Sequence, residues 1–271
     1  MDFAHIVTLP MENFKMDGSI FNIRDEAIRH LNGSITIERQ MTIENFGSRI
    51  VASMHLKIPE DLKGNSLDTR KLSANHIQIT ILYLKAMIAA PFVTSTFGNS
   101  SEQFSSLSIG LGIGIINSFL HDRFTNINIT IIEIEKTMVD IAKKYFGLIE
   151  DDRQRVIISD GMKYLRENKK LIFDAIFIDA CYSQFKDGLS CPVKEFCEYD
   201  NMNLIKSNLK ENGVVIVSLL LTSPKKTAEV LVCGGKNFPD EETFKAKTTK
   251  VFEELGFGSP PIVTEDFTMW Y

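Results

Sequence analysis

The chain has 271 residues, enough for one large domain with a small appendage. Hydrophobic residues make up 44% and charged residues 24%, the balance of an ordinary globular protein rather than a disordered or fibrous one. A formal net charge of −5 argues against a nucleic-acid partner, which favours basic surfaces, and suits a basic peptide better.

The N-terminal segment lacks the basic start and apolar core of a secretory signal. No uninterrupted apolar run reaches the roughly 18 residues of a membrane span. A cytoplasmic protein without a membrane partner is expected. Cys181, Cys191, Cys197 and Cys233 form no CxxC pair, so reduced thiols are expected and no metal site.

The first thirty residues show no clear period. Asn32-Gly33 marks a turn. Ser34–Ile43 reads as a strand, and Ile50, Ala52, Met54, Leu56 and Ile58 alternate with mostly polar neighbours until Pro59. Ser34–Ile58 is therefore expected to form a long β-hairpin in a small N-terminal lobe, residues 1–70. Residues 71–271 form the second domain. Ser73–Ala90 has the length and apolar content of a buried helix, capped by Ser73 or Asn75 and stopped by Pro91. Phe97–Ser106 reads as a loop.

From Leu107 strands and helices alternate. Strands are expected at Leu107–Gly110, Ile127–Glu133, Val156–Ser159, Phe173–Asp179 and Val214–Leu221. Helices are expected at Ile113–His121, Thr137–Phe146, Gly161–Asn168 and Glu198–Leu209, the last ended by Asn212-Gly213. This alternation predicts an α/β fold with a Rossmann-like, doubly wound parallel sheet.

Four strand ends carry residues suited to a nucleotide-like ligand, and all fall on the carboxyl edge of that sheet. Gly110, Gly112 and Gly114 form a tight strand-to-helix turn. Glu133 ends the next strand about twenty residues on, where an acid accepts from a ribose diol. Asp160-Gly161 follows the third strand and Asp179 the fourth. Each has a plainer reading: Glu133 as a solvated strand end, Asp160 as a helix N-cap, Asp179 as a loop acid. A dinucleotide fingerprint would place a third glycine where Ile115 stands, and no GK[ST] follows the glycines, so a P-loop is excluded. S-adenosylmethionine fits better, with Asp160 accepting from the adenine amine and Asp179 orienting an amine nucleophile. His121 reads as a surface or capping histidine, His76 as a core residue, and Lys163–Lys170 as a solvated face. Tyr182 and Phe185 either line a substrate mouth or cover the sheet edge.

Ile132–Glu135, Ala142–Phe146, Asp152-Arg153, Asp160-Gly161 and Phe173–Asp179 together resemble the spermidine synthase-like branch of class I methyltransferases. Phe119-Leu120-His121-Asp122 and Leu189-Ser190-Cys191-Pro192 bring the chain nearest to the C-terminal domain of the methyltransferase-like protein 13 family. The resemblance covers roughly Ser73–Val232. It implies S-adenosylmethionine as donor and a protein amine as acceptor, by likeness the N-terminal amine of translation elongation factor 1-alpha. It places Glu133 on the ribose, Asp160-Gly161 on adenine and Gly110–Gly114 on the methionine end. Polyamine synthesis by aminopropyl transfer is the competing activity, and a catalytically inactive binding protein is a third reading. Aminopropyltransferases use a second acid after the fourth strand, where this chain has Ala180-Cys181-Tyr182-Ser183. Only Thr222–Thr227 separates the fifth strand from Ala228–Cys233, so six strands are expected rather than the family's seven, the last two in an antiparallel hairpin.

Overall fold

The computed structural model describes residues 5–16, 18–44, 49–59, 66–98, 101–182, 188–221, 227–235 and 238–260. The chain opens with β1 (His5–Val7), β2 (Glu12–Met16), β3 (Ser19–Arg29), β4 (Ile35–Ile43), β5 (Arg49–His55) and β6 (Ser66–Asp68). β2 to β5 form a four-stranded antiparallel sheet in sequence order, and β1 pairs with β6. The expected hairpin is thus β4–β5, but it is half of a sheet that the first thirty residues complete.

Asp25 on β3 and Arg39 on β4 are cross-strand partners. The Arg39 guanidinium grips both Asp25 oxygens at 2.7 and 2.8 Å, and its other arm donates to the Tyr145 carbonyl at 2.8 Å. Two buried charges would be costly apart; paired and saturated with hydrogen bonds, they fasten the N-terminal sheet to the rest of the molecule.

α1 (Leu82–Val93) begins nine residues later than expected and contains Pro91 in its last turn. Residues 73–75 are already engaged: Ala74 bridges Leu56, and Asn75 N–H donates to the His55 carbonyl. The Asn75 side chain accepts from Ile77 and Gln78 N–H, so it makes a turn rather than a helix cap.

The second half runs β7 (Phe104–Ile109), α2 (Ile115–Arg123), β8 (Ile127–Glu133), α3 (Lys136–Phe146), β9 (Gln154–Ile158), α4 (Gly161–Glu167), β10 (Phe173–Ile178), β11 (Leu189–Cys191), α5 (Tyr199–Ser207), β12 (Leu209–Leu221), β13 (Thr227–Gly234) and α6 (Glu241–Glu254). Across the sheet the order is β13-β12-β10-β7-β8-β9, with β7 to β10 and β12 mutually parallel. β12 and β13 form the expected antiparallel hairpin. Six strands therefore span the sheet, but β11 adds a seventh. It pairs with Leu220 and Leu221, beyond Val217 where β10 stops.

Asn212-Gly213 does not end a helix. α5 stops at Ser207, capped by Asn208, whose amide donates to the Asn168 and Leu171 carbonyls. The Asn-Gly pair lies in an irregular stretch of β12, where Leu209 and Val214 face Phe173 and Ala175. α6 carries its own start signal, Asp240 accepting from Thr243 N–H.

One apolar core joins the two sheets. Ile23, Met41 and Met54 of the N-terminal sheet belong to the same buried cluster as Met87, Phe119, Ile131, Phe146 and Phe252. No helix of the described residues is long and apolar enough to cross a membrane.

Candidate functional site

Chain order reverses between β7 and β10: β8 and β9 lie on one side of β7, β10 and β12 on the other. At such a switch point the loops diverge and leave a crevice beyond the strand ends. A cleft of about 690 Å³ occupies this place, within the usual range of roughly 300–1,000 Å³ for small-molecule sites. Its far wall comes from the N-terminal sheet, including Met16, Phe21, Met41 and Ile43.

Gly110 follows β7 with φ +91°, and a Cβ there would sit 2.4 Å from the Asp179 carbonyl oxygen. The close approach that demands this glycine is to the exit of β10, not to a ligand. Gly112 is the reverse: φ is +53° and nothing lies within 4 Å of where a Cβ would be. That open backbone faces the cleft and leaves room for a ligand. Gly114 caps α2 in the left-handed conformation.

Glu133 ends β8, only 8% exposed. One carboxylate oxygen accepts from Leu111 N–H at 2.9 Å and the other from Glu135 N–H at 2.9 Å. It is therefore not a solvated strand end. It stitches the glycine turn to the next loop and still lines the cleft, with acceptor capacity remaining after its backbone donors are counted. Burial pushes its pKa up, and the backbone donors pull part of the way back.

Asp160 is the N-cap of α4, its Oδ1 accepting from Lys163 N–H at 2.7 Å. It lines the cleft as well, so the plain and the functional readings coexist. Gly161 lets α4 lie against β7, since a Cβ there would meet the Ile109 side chain at 2.5 Å.

Asp179 leaves β10 beside Gly110, its N–H donating to the Ile109 carbonyl at 2.9 Å. Its carboxylate accepts from the Ser218 and Tyr83 hydroxyls, and burial raises its pKa. Burial also pushes the Tyr83 phenol well above its usual range, with the neighbouring Asp179 charge adding to it. Sequence reading misses both partners. Tyr83 hides in an apolar helix, and Ser218 is a lone hydroxyl within the buried run of β12, which is the one available signal.

The cleft lining includes Glu133, Glu135, Asp160, Asp179 and Glu195 against Arg49. This excess of carboxylates suits a cationic ligand. Its size, the open backbone at Gly112 and the acceptors at Glu133 and Asp160 fit an adenosine carrying a positive sulfonium.

Several side chains stand elsewhere than expected. Cys181 and Cys191 are joined in a disulfide rather than free, both lining the cleft. The Tyr182 N–H to Ser190 carbonyl bond and the Val193 N–H to Ala180 carbonyl bond bring the two segments alongside. Cys197 and Cys233 are free. Tyr182 lines the cleft and accepts from Lys194 N–H at 3.1 Å; Phe185 lies outside the described residues. His121 is not at the surface. It is 6% exposed and bonds Asp151 at 2.9 Å. His76 precedes α1 and links Asp122 to the Phe146 carbonyl, both at 2.8 Å. The His121-Asp122 pair thus fastens the end of α2 to neighbouring loops, away from the cleft.

Residues 106–239 match the spermine/spermidine synthase domain. That stretch contains the glycine turn and the acids that line the cleft. Over that stretch the chain is similar to the spermidine synthase-like family. The chain is 31% identical over 159 residues to a Xenopus laevis protein named eEF1A lysine and N-terminal methyltransferase, covering 57% of this chain and 23% of that one. It spans about a quarter of the length of such curated relatives. Among solved structures, human methyltransferase-like protein 13 in complex with SAH superposes with a TM-score of 0.58 at 23% identity, over 70% of this chain and 98% of that one. Spermidine synthase from Thermotoga maritima gives 0.50 at 14% identity, over 91% and 87%. Both likenesses concern the fold of this domain.

Proposed function

We propose that the cleft binds S-adenosylmethionine and that the chain transfers its methyl group to a protein amine. The observation that carries this is the convergence of Gly112, Glu133, Asp160 and Asp179 on one cavity at the switch point. In this reading Glu133 accepts from a ribose hydroxyl with its remaining acceptor capacity. Asp160 accepts from the adenine amine, and the glycine turn borders the methionine end. The bound sulfonium supplies an activated methyl group, so the protein's part is chiefly positioning.

Asp179 orients the acceptor amine. Tyr83 and Ser218 hold its carboxylate in place, and burial makes it a stronger proton acceptor than an ordinary aspartate. The apolar wall from the N-terminal sheet excludes water and packs against the residue that bears the amine.

The names of the curated relatives point to elongation factor 1-alpha as the acceptor and to a lysine or N-terminal amine as the group modified. A cytoplasmic location accompanies such an acceptor. Aminopropyl transfer is less well supported, because Asp179 is followed by Ala180-Cys181-Tyr182 where a dicationic polyamine would need a second carboxylate.

Incubation with methyl-labelled donor and purified elongation factor 1-alpha, followed by peptide mass spectrometry, tests the assignment. Label on the N-terminal amine or a lysine, lost in Asp179→Asn, is the expected result. Methylthioadenosine release from decarboxylated donor and putrescine, without protein labelling, would replace it with aminopropyl transfer.

A further inference from the structure

Asn117 stands in the first turn of α2 and is 2% exposed, yet it lines the cleft. Its Oδ1 accepts from the Ser108 hydroxyl at 2.6 Å, and Ser108 is itself buried on β7. In this arrangement the oxygen end of the amide is the one engaged. The NH2 end has no acceptor among the described residues. It opens on the cleft, and the neighbouring Ile116 and Phe119 are apolar. An unpaired donor at this position calls for a ligand.

Its surroundings specify the charge of that ligand. α2 is nine residues long, and its first-turn N–H groups have no intrahelical acceptors. The positive end of the helix dipole therefore adds to the amide donors. Elsewhere the cleft lining is rich in carboxylates, so this corner is where an anionic group fits.

We propose that the Asn117 side-chain amide, held by Ser108 at the start of α2, binds the α-carboxylate at the methionine end of the cofactor. The inference rests on the cofactor reading above and extends it to donor choice. A decarboxylated donor would leave the amide and the helix end unpaired, so this corner favours methyl transfer over aminopropyl transfer.

Calorimetric titration with two ligands tests it without any turnover. S-adenosylhomocysteine carries the carboxylate; 5′-methylthioadenosine has the same nucleoside and lacks the amino-acid end. Asn117→Asp keeps the shape and an acceptor for Ser108 but sets a carboxylate against a carboxylate. It should weaken S-adenosylhomocysteine about tenfold or more while methylthioadenosine changes less than about twofold. Ser108→Ala, which frees the amide to rotate, should cause a smaller loss with the same selectivity. Equal weakening of both ligands, or unchanged S-adenosylhomocysteine affinity, overturns the role of Asn117. A wild-type chain that binds methylthioadenosine as tightly as S-adenosylhomocysteine overturns the carboxylate corner while leaving the nucleoside site standing. A wild-type chain that binds neither overturns the cofactor reading and this inference with it.

Discussion

Glu133→Gln separates the ligand-binding role of this side chain from its structural one. The carboxylate already accepts from Leu111 and Glu135 N–H, both at 2.9 Å. Ile134 N–H also reaches the carboxylate, so about three of its roughly four acceptor positions are spent and about one remains for a ribose hydroxyl. Glutamine keeps one oxygen and turns the other into a donor. One hydrogen bond to a charged acceptor is lost on the ligand side, about 1.5–3 kcal/mol, or roughly 10- to 150-fold in affinity.

The unliganded protein feels two opposing changes. An amide NH2 now faces a backbone N–H, which destabilises. Against this, burial raises the Glu133 pKa, so the folded state binds its proton more readily than the unfolded chain. That contribution favours folding at low pH and is lost as pH rises through the folded pKa, leaving a desolvation cost near neutrality that glutamine does not carry. Calorimetry with S-adenosylhomocysteine should report the affinity loss, and urea unfolding of the unliganded variant a much smaller change. Affinity within about twofold of wild type would remove Glu133 from the ligand site. A stability loss above about 3 kcal/mol would assign it to the fold instead.

Asp179→Asn should lower methyl transfer far more than S-adenosylhomocysteine affinity; equal losses would make Asp179 structural. Because burial raises the Asp179 pKa, the same variant should melt higher than wild type at about pH 8, with the gap closing towards about pH 4, and a gap that widens on acidification would contradict the assigned burial cost. Arg39→Met leaves Asp25 buried without its partner, and urea unfolding should show a loss of about 3–5 kcal/mol; below about 1 kcal/mol, the pair does not fasten the lobe. Gly110→Ala should cost more stability than Gly112→Ala. Both adopt positive φ, but only the first drives a Cβ into the Asp179 carbonyl, so equal melting temperatures would refute the packing assigned to Gly110.

The parallel sheet is legible in the sequence because its strands are short apolar runs punctuated by glycines and acids. Ile127–Glu133 appears with the bounds read from its residues. The N-terminal strands are less so. In β3 the buried Ile23 shares its strand with Asp25, which is inward-facing only because Arg39 neutralises it from the next strand. A charge in that position reads as surface until its partner is known. The start of α1 fails for a similar reason, since pairing between residues 74 and 56 overrides helix-forming tendency over a local stretch. The acids at the strand ends are legible as a set, since β-α alternation places them on one edge. Tyr83 and Ser218, which bond Asp179, and Asn117, which bonds Ser108, are not, because each comes from a different element and looks like a core position until the elements meet. The Cys181–Cys191 pair escapes notice because spacing alone does not reveal that β11 returns beside the exit of β10.

A crystal structure of the chain grown with S-adenosylhomocysteine tests the central claim most directly. The nucleoside should occupy the cleft between the β7 and β10 exits, with a ribose hydroxyl on Glu133 and its adenine amine at Asp160. Ligand density at another place, or a ribose directed away from Glu133, would contradict the account.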